Sequence, residues 1–201
     1  MQNLQYIHNI FNYYNNALFN NKLPEVIITI SRDFKLSGMF SANQWKKKDG
    51  KSIHELTLNP DFINPYDIEF HQTLTHEMCH LEQFIFGTPG KSGYHNIEFS
   101  QIMERVGLQT SDTGTPDGLK TGRRMYDYVI EDGLFQKAFQ KLQESGFGVL
   151  EVMPVKKPQD SKSRFSGKRS KYTCDCGTNV WGKVGLTLTC SNCNKPYKEN
   201  K

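Results

Sequence analysis

The stretch HQTLTHEMCH, residues 71–80, constrains this chain more than any other, because it specifies a helix and the face by which that helix is buried. An α-helix turns about 100° per residue, so the apolar side chains around this stretch form one stripe. The stripe consists of Phe70, Leu74, Met78, Leu81 and Ile85. His76 and His80 fall on another face, with Glu77 beside them. The pattern therefore predicts a helix over about 68–86 that presents two imidazoles and a carboxylate away from the core.

Two histidines four residues apart can place ring nitrogens on one zinc ion. Zinc in a hydrolase keeps a water in an open coordination position and lowers its pKa. Glu77, next to the first histidine, is placed to take a proton from that water as a general base. We therefore expect His76 and His80 to be metal ligands and Glu77 to be catalytic. The same motif also occurs by chance in helices, where Glu77 would be only a solvated charge.

A third ligand has to come from outside this helix, because His71 lies on the stripe side. His95 is the preferred candidate: it follows the loop GTPGKSGY and is expected to open a second helix over about 95–106, on the same face as Phe99 and Val106. His8 and His54 are possible but isolated, and Glu98 is the main alternative. It is ranked lower because it lies off that apolar face. An inward-facing histidine at this position is also often an ordinary core residue.

The rest of the first 152 residues predicts a mixture of helices and strands. Apolar residues at spacings of three and four indicate an N-terminal helix, and Asp49-Gly50 is a strong hairpin signal between two β-like runs. The expected elements are that helix from about Leu4 to Leu18, strands at 26–30, 38–45, 52–58, 125–130 and 147–152, and a further helix at about 133–145.

The C-terminal end contains two cysteine pairs, separated by 13 residues. This pattern is typical of a structural zinc site with four thiolate ligands, here Cys174, Cys176, Cys190 and Cys193. Because this segment is too short to fold on a hydrophobic core alone, the metal is expected to supply the folding energy. The alternative is a set of reduced surface thiols.

Charge and length divide the chain further. The 201 residues suit one domain plus a small module, and the net charge of +4 is unevenly spread. Residues 154–171 carry seven Lys or Arg and one Asp, whereas residues 1–153 are acidic overall. No apolar run approaches the roughly 20 residues of a membrane span, and the N-terminus has no secretory signal pattern. We therefore expect a cytoplasmic protein whose thiols are reduced or bind metal.

Two basic segments are candidate nucleic-acid contacts. Lysines beside an exposed aromatic ring can bind phosphates while the ring stacks on a base. The hairpin offers Trp45 with Lys46, Lys47 and Lys48. The basic segment before the cysteines offers Lys168, Arg169 and Lys171. The alternative is a solvated linker and a charged hairpin tip.

Taken together, these segments resemble the SprT-like family, which includes the Spartan proteases. ALFNNKLPEVIITI resembles the family's opening helix and strand, HEMCH and GYHNIEF its metal motif, and YTCDCGTNVWGKVGLTLTCSNC its C-terminal zinc ribbon. TGRRMYDYVIEDGLFQKAF resembles a segment of bacterial and mobile-element members. The resemblance implies an α+β, zincin-like metallopeptidase domain at 1–152, with helices on a small antiparallel sheet. A flexible basic linker at 153–171 and a zinc ribbon at 172–197 would follow.

The resemblance also implies a function. His76, His80 and His95 would hold a catalytic zinc, Glu77 would be the base, and the four cysteines would hold a structural zinc. The substrates would be proteins bound or crosslinked to DNA, which makes protein substrates and DNA the expected partners. No membrane partner is expected, because the chain has no long apolar run. The main alternative is a non-catalytic DNA-binding or transcription-associated module with two structural zincs. A small-molecule zinc hydrolase is a third hypothesis.

Overall fold

A computed structural model describes residues 2–33, 36–64, 66–91, 93–146, 169–183 and 185–200. The described residues fall into two compact units, one on each side of the gap at 147–168. The first unit contains α1 (Gln2–Phe19), β1 (Val26–Ile30), β2 (Gly38–Lys46), β3 (Ser52–Leu58), α2 (Ile68–Phe86), α3 (Ile97–Val106), β4 (Leu108–Ser111), β5 (Tyr126–Val129) and α4 (Leu134–Glu144). The second contains β6 (Arg169–Thr173), β7 (Asn179–Lys183) and β8 (Lys198–Asn200).

The main sheet has the strand order β1-β3-β2. β2 and β3 form the predicted hairpin, closed by hydrogen bonds from the Lys47 amide to the Lys51 carbonyl and from the Gly50 amide to the Lys47 carbonyl. Gly50 adopts φ of +86°, a conformation that favours glycine. β1 instead pairs in parallel with β3. The predicted α+β class is confirmed, but the sheet is mixed, whereas an antiparallel one was predicted.

The helices bury their apolar faces in one core. Phe70, Leu74, Met78 and Leu81 of α2 are almost completely buried, as predicted, but Ile85 at the last turn is 37% exposed. α2 packs on β2 and on α3, and α1 packs on α4 and β1. α2 therefore lies between the sheet and α3, with its histidine-bearing face directed away from the stripe.

The second central helix starts later than predicted. α3 begins at Ile97 because the side chain of Asn96 caps it, accepting a hydrogen bond from the Phe99 amide at 3.0 Å. His95 consequently precedes the helix and forms an isolated β-bridge with Gly122. The helix ends at Gly107, which adopts φ of +96° and is so close to Phe135 that a Cβ there would lie 2.6 Å from the Phe135 amide nitrogen.

The remaining predictions have mixed outcomes. α4 and β5 form where expected. β4, which pairs antiparallel with β5, was not predicted. The predicted strand at 147–152 and the linker residues 153–168 lie outside the described residues. The last three residues of the predicted flexible linker are not linker at all, because β6 begins at Arg169.

The second unit is a three-stranded antiparallel sheet with the order β7-β6-β8. Its buried side chains among the described residues are Tyr172, Cys174 and Cys190. In neither unit does a described helix combine the length and the apolar character that crossing a membrane requires.

Candidate metal centres

Three histidines converge at the junction of α2 and the segment before α3. His76 and His80 lie one turn apart on α2, and His95 lies in the segment that precedes α3. The Nε2 atom of His95 is 3.3 Å from Nε2 of His76 and 3.2 Å from Nε2 of His80. The ring of Phe99 contacts all three imidazoles and stacks on that of His80, with centroids 4.1 Å apart. The buried Phe99 ring therefore lies against all three imidazoles and restricts their orientation.

The donor set fits zinc. Nitrogen ligands at about 2.0–2.1 Å in a tetrahedral site lie about 3.4 Å from one another, close to the two distances that join Nε2 of His95 to the other two Nε2 atoms. Nδ1 of His95 lies 3.2 Å from the carbonyl oxygen of Gly122, which selects the tautomer with a lone pair on Nε2. Burial holds the pKa of His80 well below its ordinary value and lowers that of His95 to about 4. Both imidazoles are therefore neutral, as metal ligands must be.

Glu77 is fixed beside this cluster by the edge strand of the sheet. Its Oε2 atom accepts a hydrogen bond of 2.7 Å from the Phe40 amide. Burial raises the pKa of the Glu77 carboxyl, while His76 and the Phe40 amide oppose that rise. Gly38 allows the strand to approach so closely, since a Cβ there would lie 3.0 Å from Cγ of Glu77. The carboxylate is thus oriented by backbone and not by solvent.

The alternative third ligand, Glu98, is engaged elsewhere. Its Oε2 atom accepts hydrogen bonds from the Thr88 amide at 2.7 Å and from Nε2 of Gln83 at 2.8 Å. Glu98 therefore ties the end of α2 to the start of α3. The group of potential ligands that the structure brings together contains His95 and not Glu98.

Two other histidines of the first unit, His71 and His54, have different partners. His71 is completely buried and its Nδ1 atom lies 2.9 Å from the hydroxyl of Tyr14. Nδ1 of His54 accepts a hydrogen bond from the Asn43 amide. Both belong to the packing of the unit, in agreement with the prediction that His71 faces the stripe.

The four C-terminal cysteines also converge. Their sulfur atoms all lie within 4.8 Å of one another, with 3.3 Å between Cys174 and Cys193 and 3.6 Å between Cys176 and Cys190. A tetrahedral zinc with Zn–S bonds of about 2.3 Å requires about 3.8 Å between sulfurs. The amide of Asn192 is the main cause that lowers the pKa of Cys190 to about 6. This donor set fits a closed four-thiolate site.

The predicted nucleic-acid residues occupy two surfaces. Trp45 is 46% exposed and its Nε1 donates to Oε2 of Glu55 at 2.8 Å. Lys46 and Lys48 are exposed, while the ammonium of Lys47 lies 2.7 Å from the carboxylate of Glu25. The structure does not bring this hairpin group into contact with the histidines.

The basic residues near the cysteines are only partly described. Lys168 and the side chain of Arg169 lie outside the described part of the chain. Nζ of Lys171 lies 6.0 Å from the ring centroid of Trp181, which is 63% exposed. Trp181 was not predicted as a nucleic-acid contact. Its exposure could have been expected, because so small a module has little core in which to bury an aromatic side chain.

Sequence reasoning also missed the partners of the histidines. Asp127, on β5, has its Oδ1 atom 3.5 Å from Nδ1 of His76. The backbone groups of Phe40 and Gly122, which contact Glu77 and His95, leave no trace in a single sequence. The only available signal for Asp127 was an acidic residue inside the otherwise apolar and aromatic run MYDYVI.

Comparison with known proteins agrees with this geometry. No curated protein matches the chain. The family model described as the SprT-like family matches residues 7–120, which include the three clustered histidines and Glu77 but neither Asp127 nor the four C-terminal cysteines. The chain therefore belongs to the SprT-like family, and this membership indicates a zinc-dependent, protease-like function.

Proposed function

We propose that this protein is a zinc metallopeptidase that cleaves proteins bound or crosslinked to DNA. The observation that carries the proposal is the convergence of three imidazoles next to a carboxylate held by the backbone. His76, His80 and His95 would hold a catalytic zinc. Cys174, Cys176, Cys190 and Cys193 would hold a structural one.

The chemistry divides between metal and protein. When bound, the zinc lowers the pKa of a water and polarises the peptide carbonyl. Glu77 accepts the proton of the attacking water on one carboxylate oxygen, while the Phe40 amide holds the other. Glu77 then delivers that proton to the leaving amine. Because its carboxylate is fixed before substrate arrives, little reorganisation accompanies proton transfer.

DNA association is supported by the basic surfaces. The 154–171 segment has an excess of six positive charges, and Lys171 with Trp181 combines an ammonium with an exposed ring. In the first unit, Lys120, Arg123 and Arg124 are exposed and flank Gly122, the residue that contacts His95. These basic side chains would bind the phosphates of DNA and so hold DNA-bound proteins near the histidine cluster.

The test is Glu77→Gln, which keeps the size of the side chain but removes the base. Cleavage of a protein crosslinked to single- or double-stranded DNA is expected to fall about 100- to 10,000-fold, with zinc content and DNA affinity unchanged. Glu69→Gln is the matched control, because Glu69 is exposed on the same helix. It should cleave at the native rate.

Two results would overturn the proposal. If Glu77→Gln cleaves at the native rate, the mechanism is wrong. If the native protein binds DNA and both zincs but cleaves nothing on either kind of DNA, the non-catalytic DNA-binding module is the better description.

A further inference from the structure

His76 has a buried ring nitrogen that the metal centre does not use. Its Nδ1 atom has no hydrogen-bond partner within normal distance among the described residues. Oδ1 of Asp127 lies 3.5 Å from this atom. The side chains of His76 and Asp127 are only 13% and 16% exposed. A ring nitrogen and a carboxylate oxygen therefore lie opposite each other, and both side chains are largely shielded from solvent.

Asp127 is itself held in place from two directions. Nε2 of Gln72 lies 3.2 Å from Oδ2 of Asp127 and 3.4 Å from its carbonyl oxygen. Gln72 precedes His76 by one turn of α2, so both residues reach Asp127 from the same helix face. On the other side, Asp127 pairs with Thr110 in the β4–β5 ladder. The carboxylate consequently has a fixed position relative to the helix that carries His76.

The same stretch of chain also contacts the third histidine. Gly122, five residues before Asp127, receives the His95 amide at 2.8 Å and lies 3.2 Å from its Nδ1 atom. Residues 122–127 thus lie next to the Nδ1 atoms of His76 and His95, the ring nitrogens that are not part of the Nε2 cluster. This stretch lies beyond the segment that matches the family.

We propose that Asp127 is a positioning residue that accepts the Nδ1–H of His76 and so leaves the Nε2 lone pair directed at the metal. The proposal rests on the proposed zinc centre. Carboxylates behind ligating histidines fix the tautomer and the ring orientation, and their loss typically costs about 10- to 100-fold in metal affinity. The 3.5 Å separation is compatible with this role, since hydrogen bonds at such sites are often long before ligands bind.

A purely structural role for Asp127 makes a different prediction. If Asp127 only anchors Gln72 and the β4–β5 hairpin, then Asp127→Asn and Gln72→Ala will lower thermal stability without changing the tautomer of His76. If Asp127 positions His76, Asp127→Asn will change the tautomer and Gln72→Ala will have a smaller effect of the same kind.

The experiment uses ¹⁵N NMR of the histidine rings in the full-length chain. The ring nitrogens report the tautomer of His76 before metal is added. During zinc titration against a competing chelator, they also report occupancy of the histidine site separately from the cysteine site. Asp127→Asn is compared with Asp117→Asn, which removes the same charge from an exposed loop.

The expected result is an Nδ1–H tautomer of His76 in the native chain and in Asp117→Asn, with mixed tautomers in Asp127→Asn. Zinc affinity at the histidines should fall about 10- to 100-fold only in Asp127→Asn. If the native chain binds zinc there and Asp127→Asn matches Asp117→Asn in both readouts, the role assigned to Asp127 is wrong. If the native histidines take up no zinc, the proposed function fails as well.

Discussion

The two candidate metal centres differ in what surrounds them. The histidines are built on a core that includes α1 to α4 and the main sheet, with Tyr14, Leu74, Met78 and Phe99 completely buried. The cysteines belong to a unit whose buried side chains, among the described residues, are Tyr172 and two of the cysteines themselves. We infer that in the first unit the fold creates the candidate metal site, whereas in the second a bound metal would supply much of the folding free energy.

This difference separates ligand loss from fold loss. Burial of apolar surface is the dominant favourable contribution to folding, and a chain that buries little of it needs a metal or disulfides for stability. A ligand substitution should therefore empty the histidine site without unfolding the first unit. At the cysteines, the same kind of substitution should remove the folded state.

The largest expected effect is the response of the ribbon to Cys190→Ser. Structural zinc sites contribute an apparent binding free energy of about 10–16 kcal/mol, which is also folding free energy. Losing one thiolate should therefore unfold residues 172–197 and abolish amide protection there. We expect the thermal midpoint of the first unit to remain unchanged, and two-dimensional NMR of the full chain follows both units at once.

Ser191→Ala is the matched control, because Ser191 is the exposed neighbour of Cys190. It should leave the ribbon signals in place. A ribbon that stays folded in Cys190→Ser, or after zinc is chelated, would show that its few core contacts suffice. A large drop in the midpoint of the first unit would show that the two units stabilise each other.

The next effect is a contrast between two variants: one at His95 should lose zinc, and one at Glu98 should lose stability. His95→Ala should lose zinc from the histidine site and leave the stability of the first unit nearly unchanged. Glu98→Ala should keep that zinc but lose about 0.5–1.5 kcal/mol of stability, because the Thr88 amide loses this acceptor and the buried Gln83 keeps only Asn96. Zinc content and urea denaturation of both variants measure the two effects. The opposite pattern would make Glu98 the third ligand.

Much of this arrangement could be predicted from local sequence. The bounds of β1, β3 and α2 match the predictions because each pattern is interrupted by strong breakers, such as Pro24 before β1 and Gly87 after α2. The histidine pair and Glu77 follow from helical spacing alone. The cysteines converge because their spacing leaves two short turns facing each other.

The sequence could not provide the pairing of distant segments or the hydrogen bonds that backbone groups make to Glu77 and His95. β1 could pair with either strand of the β2–β3 hairpin, and no local sequence pattern tells which strand it joins or in which direction. α3 starts two residues later than its apolar pattern predicts because Asn96 caps it, and the four residues of β4 are too few to show alternation. Asp127 is 51 residues from His76, so only the fold brings the pair together.

The smallest expected effect concerns the two tryptophan–lysine surfaces, one in each unit. The hairpin lysine Lys47 is paired with Glu25 at 2.7 Å, whereas Lys48 is exposed and has no ion pair among the described residues. A lysine that must leave a carboxylate before it binds a phosphate contributes less to DNA affinity. Lys171, over the ring of Trp181, has no such competitor within the described part of the ribbon.

We therefore expect Lys47→Gln to weaken DNA binding less than Lys48→Gln or Lys171→Gln. Fluorescence anisotropy over a range of salt concentrations measures this, since each lost phosphate contact lowers the slope of log affinity against log salt by about 0.9 on duplex DNA. Glu25→Gln should strengthen binding slightly by releasing Lys47. Equal slopes for all three lysine variants and the native protein would remove both surfaces from the DNA interface. A loss confined to Lys171→Gln would assign DNA binding to the ribbon and leave the first unit with catalysis.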